Sequence, residues 1–154
     1  MNIPFSPPDI TEEEIEAVAE VMRSGWITTG PKTKELERKM AEFTHTNRGV
    51  CLNSATSCME MALRLFEIGP GDEVIVPAYT YTASASVVCH VGATLRLVDV
   101  EKGTFHIDYA AVESMINENT KAIIPVDLGG VMVDYDRIRA IVESKKSLFR
   151  PSSK

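Results

Sequence analysis

Cysteine is scarce in this chain of 154 residues, and what there is fits no framework. Cys51, Cys58 and Cys89 are odd in number and match no metal-ligand spacing. Each sits in an apolar stretch and reads as a small buried hydrophobe. That points to a reducing compartment, the cytoplasm. Long hydrophobic runs are missing too: none approaches the roughly 18 residues of a membrane span. Residues 1–10 lack the charged and apolar segments of a secretory signal. The net charge is −6 and no basic block occurs, so neither nucleic acid nor membrane is an expected partner. His45, His90 and His106 are too scattered for a zinc site, and no metal is expected. No nucleophile elbow, P-loop or GxGxxG fingerprint is present. The chain therefore shows no catalytic group of its own.

What it has is an ordinary globular composition, 44% hydrophobic and 25% charged, in a length that suits one domain. Residues 1–10 are Pro-rich (Pro4, Pro7, Pro8) and extended. Thr11 and Glu14 form a capping-box pattern. Ile15, Val18, Ala19 and Met22 follow at helical spacing, so the pattern predicts a helix over 11–23. Residues 25–31, GWITTGP, form a loop around the only tryptophan. A second helix over 31–44 carries Leu36, Met40 and Phe43 on one side.

From residue 49 strands alternate with helices. Strands are expected at 49–52, 73–77, 94–98 and 121–126, and helices at 56–67, 82–91, 108–116 and 134–142. Such alternation implies crossover units, hence an α/β fold with a mostly parallel sheet between helices. Residues 144–154 are polar and basic, without a core-forming pattern.

Ligands of open α/β sheets sit beyond the carboxyl ends of the strands. After the first strand, Asn53–Ser57 are small, and a helix start adds its dipole and free N–H groups. Thr56 and Ser57 hydroxyls complete a possible phosphate cradle, although Ser57 with Glu60 also reads as a capping box. After the second strand, Tyr79 and Tyr81 either stack on a flat ring or pack half-buried. Asp99 after the third strand reads as a turn residue. Asp127 after the fourth precedes Gly129-Gly130, which suggests a sharp turn or close backbone approach. Its carboxylate either faces a ligand or serves the turn.

Five collinear segments resemble the DegT/DnrJ/EryC1/StrS family of pyridoxal-phosphate-dependent sugar aminotransferases. They are GWITTGP (25–31), NSATSCMEMAL (53–63), GPGDEVIVPAYTYTASASVVCHV (69–91), VDVEKGTFHID (98–108) and AIIPVDLGG (122–130). The likeness runs in order over about residues 3–143. It implies part of a fold-type-I large domain, a three-layer α/β/α arrangement, over residues 1–143, with 144–154 unplaced. It implies pyridoxal 5'-phosphate as cofactor, its phosphate on Thr56 and Ser57 and its ring against Tyr81. It implies a nucleotide-linked keto-sugar substrate near Trp26, Thr28, Thr29 and Asp127, although many members carry histidine at position 127. It further implies an amino-acid amino donor and a homodimer when full length.

The family's pyridine-pairing Asp and Schiff-base Lys lie in motifs that this sequence does not contain. The first keeps the ring nitrogen protonated and the second moves the proton. The expectation is therefore the N-terminal part of a longer enzyme, inactive alone, whether a truncated gene product, a proteolytic piece or a designed one. A dehydratase relative using the same cofactor, or a non-catalytic binding or interaction module, are the alternatives. In the family's strand order, 3-2-4-5-6-7-1, the first strand would lack its neighbours. The expectation is that it re-pairs or that the chain oligomerises to cover the gap.

Overall fold

Glu73–Pro77 (β1) is a run of apolar β-branched residues ending at proline, and it forms the centre of a three-stranded sheet. Thr94–Val98 (β2) pairs with it on one side and Thr120–Ile123 (β3) on the other, both parallel. The order β2-β1-β3 reproduces the expected adjacency of the second, third and fourth strands of the sequence. The register to β2 is regular, Glu73 opposite Thr94 through Pro77 opposite Val98, and the β3 side shifts between Glu73 and Val74. The computed structural model describes residues 6–152, so Pro4 of the expected extended lead-in lies outside the described residues.

Alternation along β1 divides the core in two. Ile75 faces Tyr109, Val112, Ile138 and Ile141, from helices Tyr109–Met115 (α5) and Tyr135–Ser144 (α6). Val74 and Val76 face Leu63, Val87 and Val88, from helices Ala55–Leu65 (α3) and Ala83–His90 (α4). The result is the expected three layers, helix–sheet–helix. A polar lattice ties the amino end of the sheet: Arg96 Nη1 donates to both Glu73 carboxylate oxygens at 3.1 Å, and Asn117 Nδ2 to one at 2.9 Å.

The chain divides into two compact units, Met1–Cys51 and Leu52–Lys154. In the first, Glu12–Ser24 (α1) starts on the expected capping box, with Thr11 N–H donating to Glu14 Oε2 at 2.7 Å, and stops on left-handed Gly25. Pro31–Phe43 (α2) begins on proline at its first turn. Their apolar stripes, Ile15, Val18 and Met22 on one and Leu36, Met40 and Phe43 on the other, are exposed.

Three expectations need correction. Residues 49–52 are not a strand and pair with none among the described residues. Cys51 N–H donates instead to Glu37 Oε1 at 2.9 Å, and Val50 is 75% exposed. A strand exists only through its ladder, and here the backbone finds α2 first. The expected re-pairing is therefore not seen. Second, Cys58 and Cys89 are exposed and Cys51 half-buried, because two of them lie on helix faces turned away from the sheet. Third, the stretch 144–154 is not wholly unplaced. Lys146–Leu148 form a 3-10 turn, and Phe149 and Ser152 pack onto the sheet's amino end.

Candidate functional site

The first turn of α3 is built by Ser54. Its hydroxyl accepts the Ser57 N–H at 3.1 Å and lies 3.1 Å from the Ser57 hydroxyl. The cap is thus Ser54, not the Ser57–Glu60 box, and Glu60 is engaged elsewhere. Its carboxylate takes Arg64 Nη2 at 2.7 Å and His90 Nδ1 at 2.9 Å, which together hold it below the usual carboxylate range. The first N–H groups of a helix have no partner within it. With the Ser57 amide capped, those of Ala55 and Thr56 stay open. The Thr56 hydroxyl has no hydrogen bond among the described residues. This arrangement fits a phosphate: two amides, two hydroxyls and the helix dipole converge on one turn.

The link from Leu65 to Glu73 is short, so α3 returns along β1 and its N-terminus lies toward the strand's carboxyl end. At that end the chain leaves β1 through Ala78, whose N–H donates to the Val98 carbonyl at 2.7 Å. The two tyrosines that follow divide. Tyr79 stacks on Phe105, with ring centroids 5.0 Å apart and planes at 24°. Tyr81 stands 80% exposed, so the half-buried reading of the pair does not hold for it, and its ring is free to meet a flat partner. Phe105 was not singled out from the sequence. It lies on a turn closed by the Val100–Ile107 bridge, whose only sequence signal is an aromatic between Gly103 and Asp108.

Asp99 behaves as a turn residue: its Oδ1 accepts the Val100 N–H at 2.8 Å. Asp127, next after the β3 segment, uses both carboxylate oxygens. One accepts the Val133 N–H and the other the Tyr135 hydroxyl, each at 2.9 Å. Burial, then this bond, raises the Tyr135 phenol above its ordinary value. Gly129 and Gly130 have φ of +63° and +81°, and no other part of the chain crowds the place where a Cβ would stand, so it is the left-handed backbone of the sharp turn that calls for glycine within the chain.

In the N-terminal unit, Trp26, Thr28 and Thr29 line a hollow of about 680 Å³ together with Glu20 and Pro31. The indole Nε1–H donates to the Thr29 carbonyl at 3.2 Å. A Cβ at Gly30 would overlap that indole, so the second glycine of the loop is there to seat the tryptophan. No cluster of metal-ligating side chains occurs among the described residues, and none of their helices is long and apolar enough to cross a membrane.

Comparison with known proteins follows this geometry. Spr1654 of Streptococcus pneumoniae, assigned as a sugar aminotransferase, is similar at 60% identity and a TM-score of 0.95. The match covers 100% of this chain and 39% of that one, whose solved forms include the apo, PMP and PLP states. DesV of S. venezuelae, solved with a ketimine intermediate, is similar at 36% identity and a TM-score of 0.82 over 88% of this chain and 36% of that one. The E. coli GDP-4-keto-6-deoxy-D-mannose-3-dehydratase, at 24% identity and a TM-score of 0.86 over 94% of this chain and 39% of that one, shares the fold. The chain thus spans less than two-fifths of the length of these relatives. The profile of the DegT/DnrJ/EryC1/StrS aminotransferase family, whose cofactor is pyridoxal 5'-phosphate, matches residues 8–149, and the chain belongs to that family.

Proposed function

We propose that these residues form the cofactor-recognising part of a pyridoxal-phosphate-dependent aminotransferase acting on a nucleotide-linked keto-sugar. The observation that carries this reading is the open first turn of α3, with exposed Tyr81 on the loop after β1. Thr56 and Ser57 hold the phosphate through their hydroxyls, joined by the free amides of Ala55 and Thr56. Tyr81 covers one face of the ring. Trp26, Thr28 and Thr29 recognise the sugar, and Asp127 contributes by fixing the loop 128–134. When bound, the cofactor supplies an electron sink for moving an amino group from an amino acid to the sugar ketone. The lysine and aspartate that such chemistry needs are not among these residues, so the chain recognises and orients without transferring protons. The whole enzyme acts as a cytoplasmic homodimer.

Pyridoxamine 5'-phosphate is the suitable probe, because it lacks the aldehyde that labels surface lysines. The chain binds it in equilibrium dialysis, and inorganic phosphate competes. Thr56→Ala with Ser57→Ala weakens binding about tenfold or more, as expected for hydrogen bonds to a charged group. Tyr81→Ala weakens it and shifts the bound probe's absorbance. Binding that ignores all three changes refutes the assignment.

A further inference from the structure

The loop that carries Tyr81 has few bonds of its own. It leaves β1 on the Ala78 N–H, which donates to the Val98 carbonyl at 2.7 Å. It enters α4 where the Ser84 N–H donates to the Tyr81 carbonyl and the Ala85 N–H to that of Thr82, each at 3.1 Å. Between these ends, the amides of Tyr79, Thr80, Tyr81 and Thr82 make no hydrogen bond among the described residues. Two side-chain ties remain. The Thr80 hydroxyl lies 3.2 Å from that of buried Ser84, a link within the same stretch of chain. Only the stack of Tyr79 on Phe105 ties the loop to a distant segment.

That segment is itself well held. Val100 bridges Ile107 in antiparallel fashion, the Glu101 N–H donates to the His106 carbonyl at 2.9 Å, and the Asp108 N–H to that of Asp99 at 3.0 Å. At the tip, the Thr104 N–H donates to the Glu101 carbonyl at 3.0 Å, and the Thr104 hydroxyl accepts the His106 N–H at 3.1 Å. The turn continues β2 at one end and starts α5 through Asp108 at the other. Ile107, two residues past the ring, is buried in the core, and Glu101 takes Arg137 Nη1 of α6 at 3.2 Å. Phe105 is thus an anchored ring, and Tyr79 gains its place from it. Neither ring belongs to either half of the core, so the contact fixes a position and does not build the interior.

We propose that Phe105 is a positioning residue for the ring site: by holding Tyr79 it sets loop 78–82 so that Tyr81 meets the cofactor's ring face on. The role rests on the cofactor reading above, and pyridoxamine 5'-phosphate is again the probe. Phe105→Ala weakens the probe about fivefold, the size of one lost aromatic stack, and moves the bound probe's absorbance toward that seen with Tyr81→Ala. Inorganic phosphate, which has no ring, binds as before. In a Tyr81→Ala background the Phe105 change adds nothing, since both act through one contact. With no probe present, Phe105→Ala speeds exchange of the Ser84 amide, which donates to the Tyr81 carbonyl, about tenfold. Phe105→Tyr keeps the flat ring and with it the values of the unaltered chain. If Phe105→Ala speeds exchange only at Thr104 and His106, leaves probe affinity unchanged while Tyr81→Ala lowers it, or weakens phosphate equally, the positioning role is overturned and the cofactor reading stands. If Tyr81→Ala binds the probe as the unaltered chain does, that reading and this role fall together. Should Phe105→Ala lose its far-UV spectrum, Phe105→Leu decides, with the same losses expected, since it keeps the apolar bulk without the flat face.

Discussion

Asp127 joins two points of one loop, and the phenol that donates to it makes that join sensitive to base. Tyr135 is raised above its ordinary value of 10.0, first by burial and then by the hydrogen bond to the carboxylate. A folded-state value above the unfolded one means that the folded protein holds the proton more tightly. The stabilisation is complete below the unfolded value and is lost as pH rises through the folded one. Tyr135→Phe is therefore expected to lower the urea midpoint at neutral pH, with the gap to the unaltered chain closing under alkaline conditions. Urea titrations at a series of pH values measure it directly. The same scale explains why Asp127 reads two ways in the sequence. A carboxylate before two glycines can face a ligand or serve the turn, and only the 2.9 Å bonds to Val133 and Tyr135 reveal that the turn has engaged both oxygens.

Among the elements, β1 matters most to stability. It is paired on both edges, and Val74, Ile75 and Val76 are all fully buried. Ile75 alone faces the α5–α6 side, where Val112 is also sealed from solvent. Ile75→Ala is expected to cost about 3 kcal/mol through lost burial and the cavity left behind, measured by urea unfolding. Strands of this kind are legible in a sequence because a short apolar β-branched run between turn signals suits little else. Residues 49–52 looked similar in miniature, and their failure shows the limit. Four residues without paired neighbours have no ladder to hold them, and a hydrogen bond to Glu37 outweighs none at all.

Across the whole molecule, the two halves of the core draw every buried member from residues 63–141, inside the second unit. A chain of residues 52–154 is therefore expected to keep the three-stranded sheet. Its Val74–Val76 amide resonances should overlay those of the full chain, and collapse of these peaks would contradict the division. The exposed stripes of α1 and α2, and a second stripe formed by Cys58, Met61 and Leu65 of α3 with Phe66 just past its end, belong to this scale as well. Periodicity marks a face as apolar without saying what it meets, so the cysteines read as buried from sequence.

The sequence by itself determined the elements whose causes are local. The capping box of α1, the proline start of α2, the loop around Trp26, the three paired strands and their parallel crossovers all follow from spacing and turn chemistry. It also marked Thr56, Ser57 and Tyr81 as candidates, since small residues at a helix start and an aromatic at a strand end are visible in one dimension. Only the tertiary structure decided which groups were already taken. It stacked Tyr79 on Phe105, engaged both oxygens of Asp127 and laid Phe149 over Lys121. The physical reason is range. Helix caps and strand patterns are settled within a few residues, whereas stacking pairs, carboxylate partners and cover for a buried charge come from residues 26 to 80 positions away, or across a loop whose path no local rule sets.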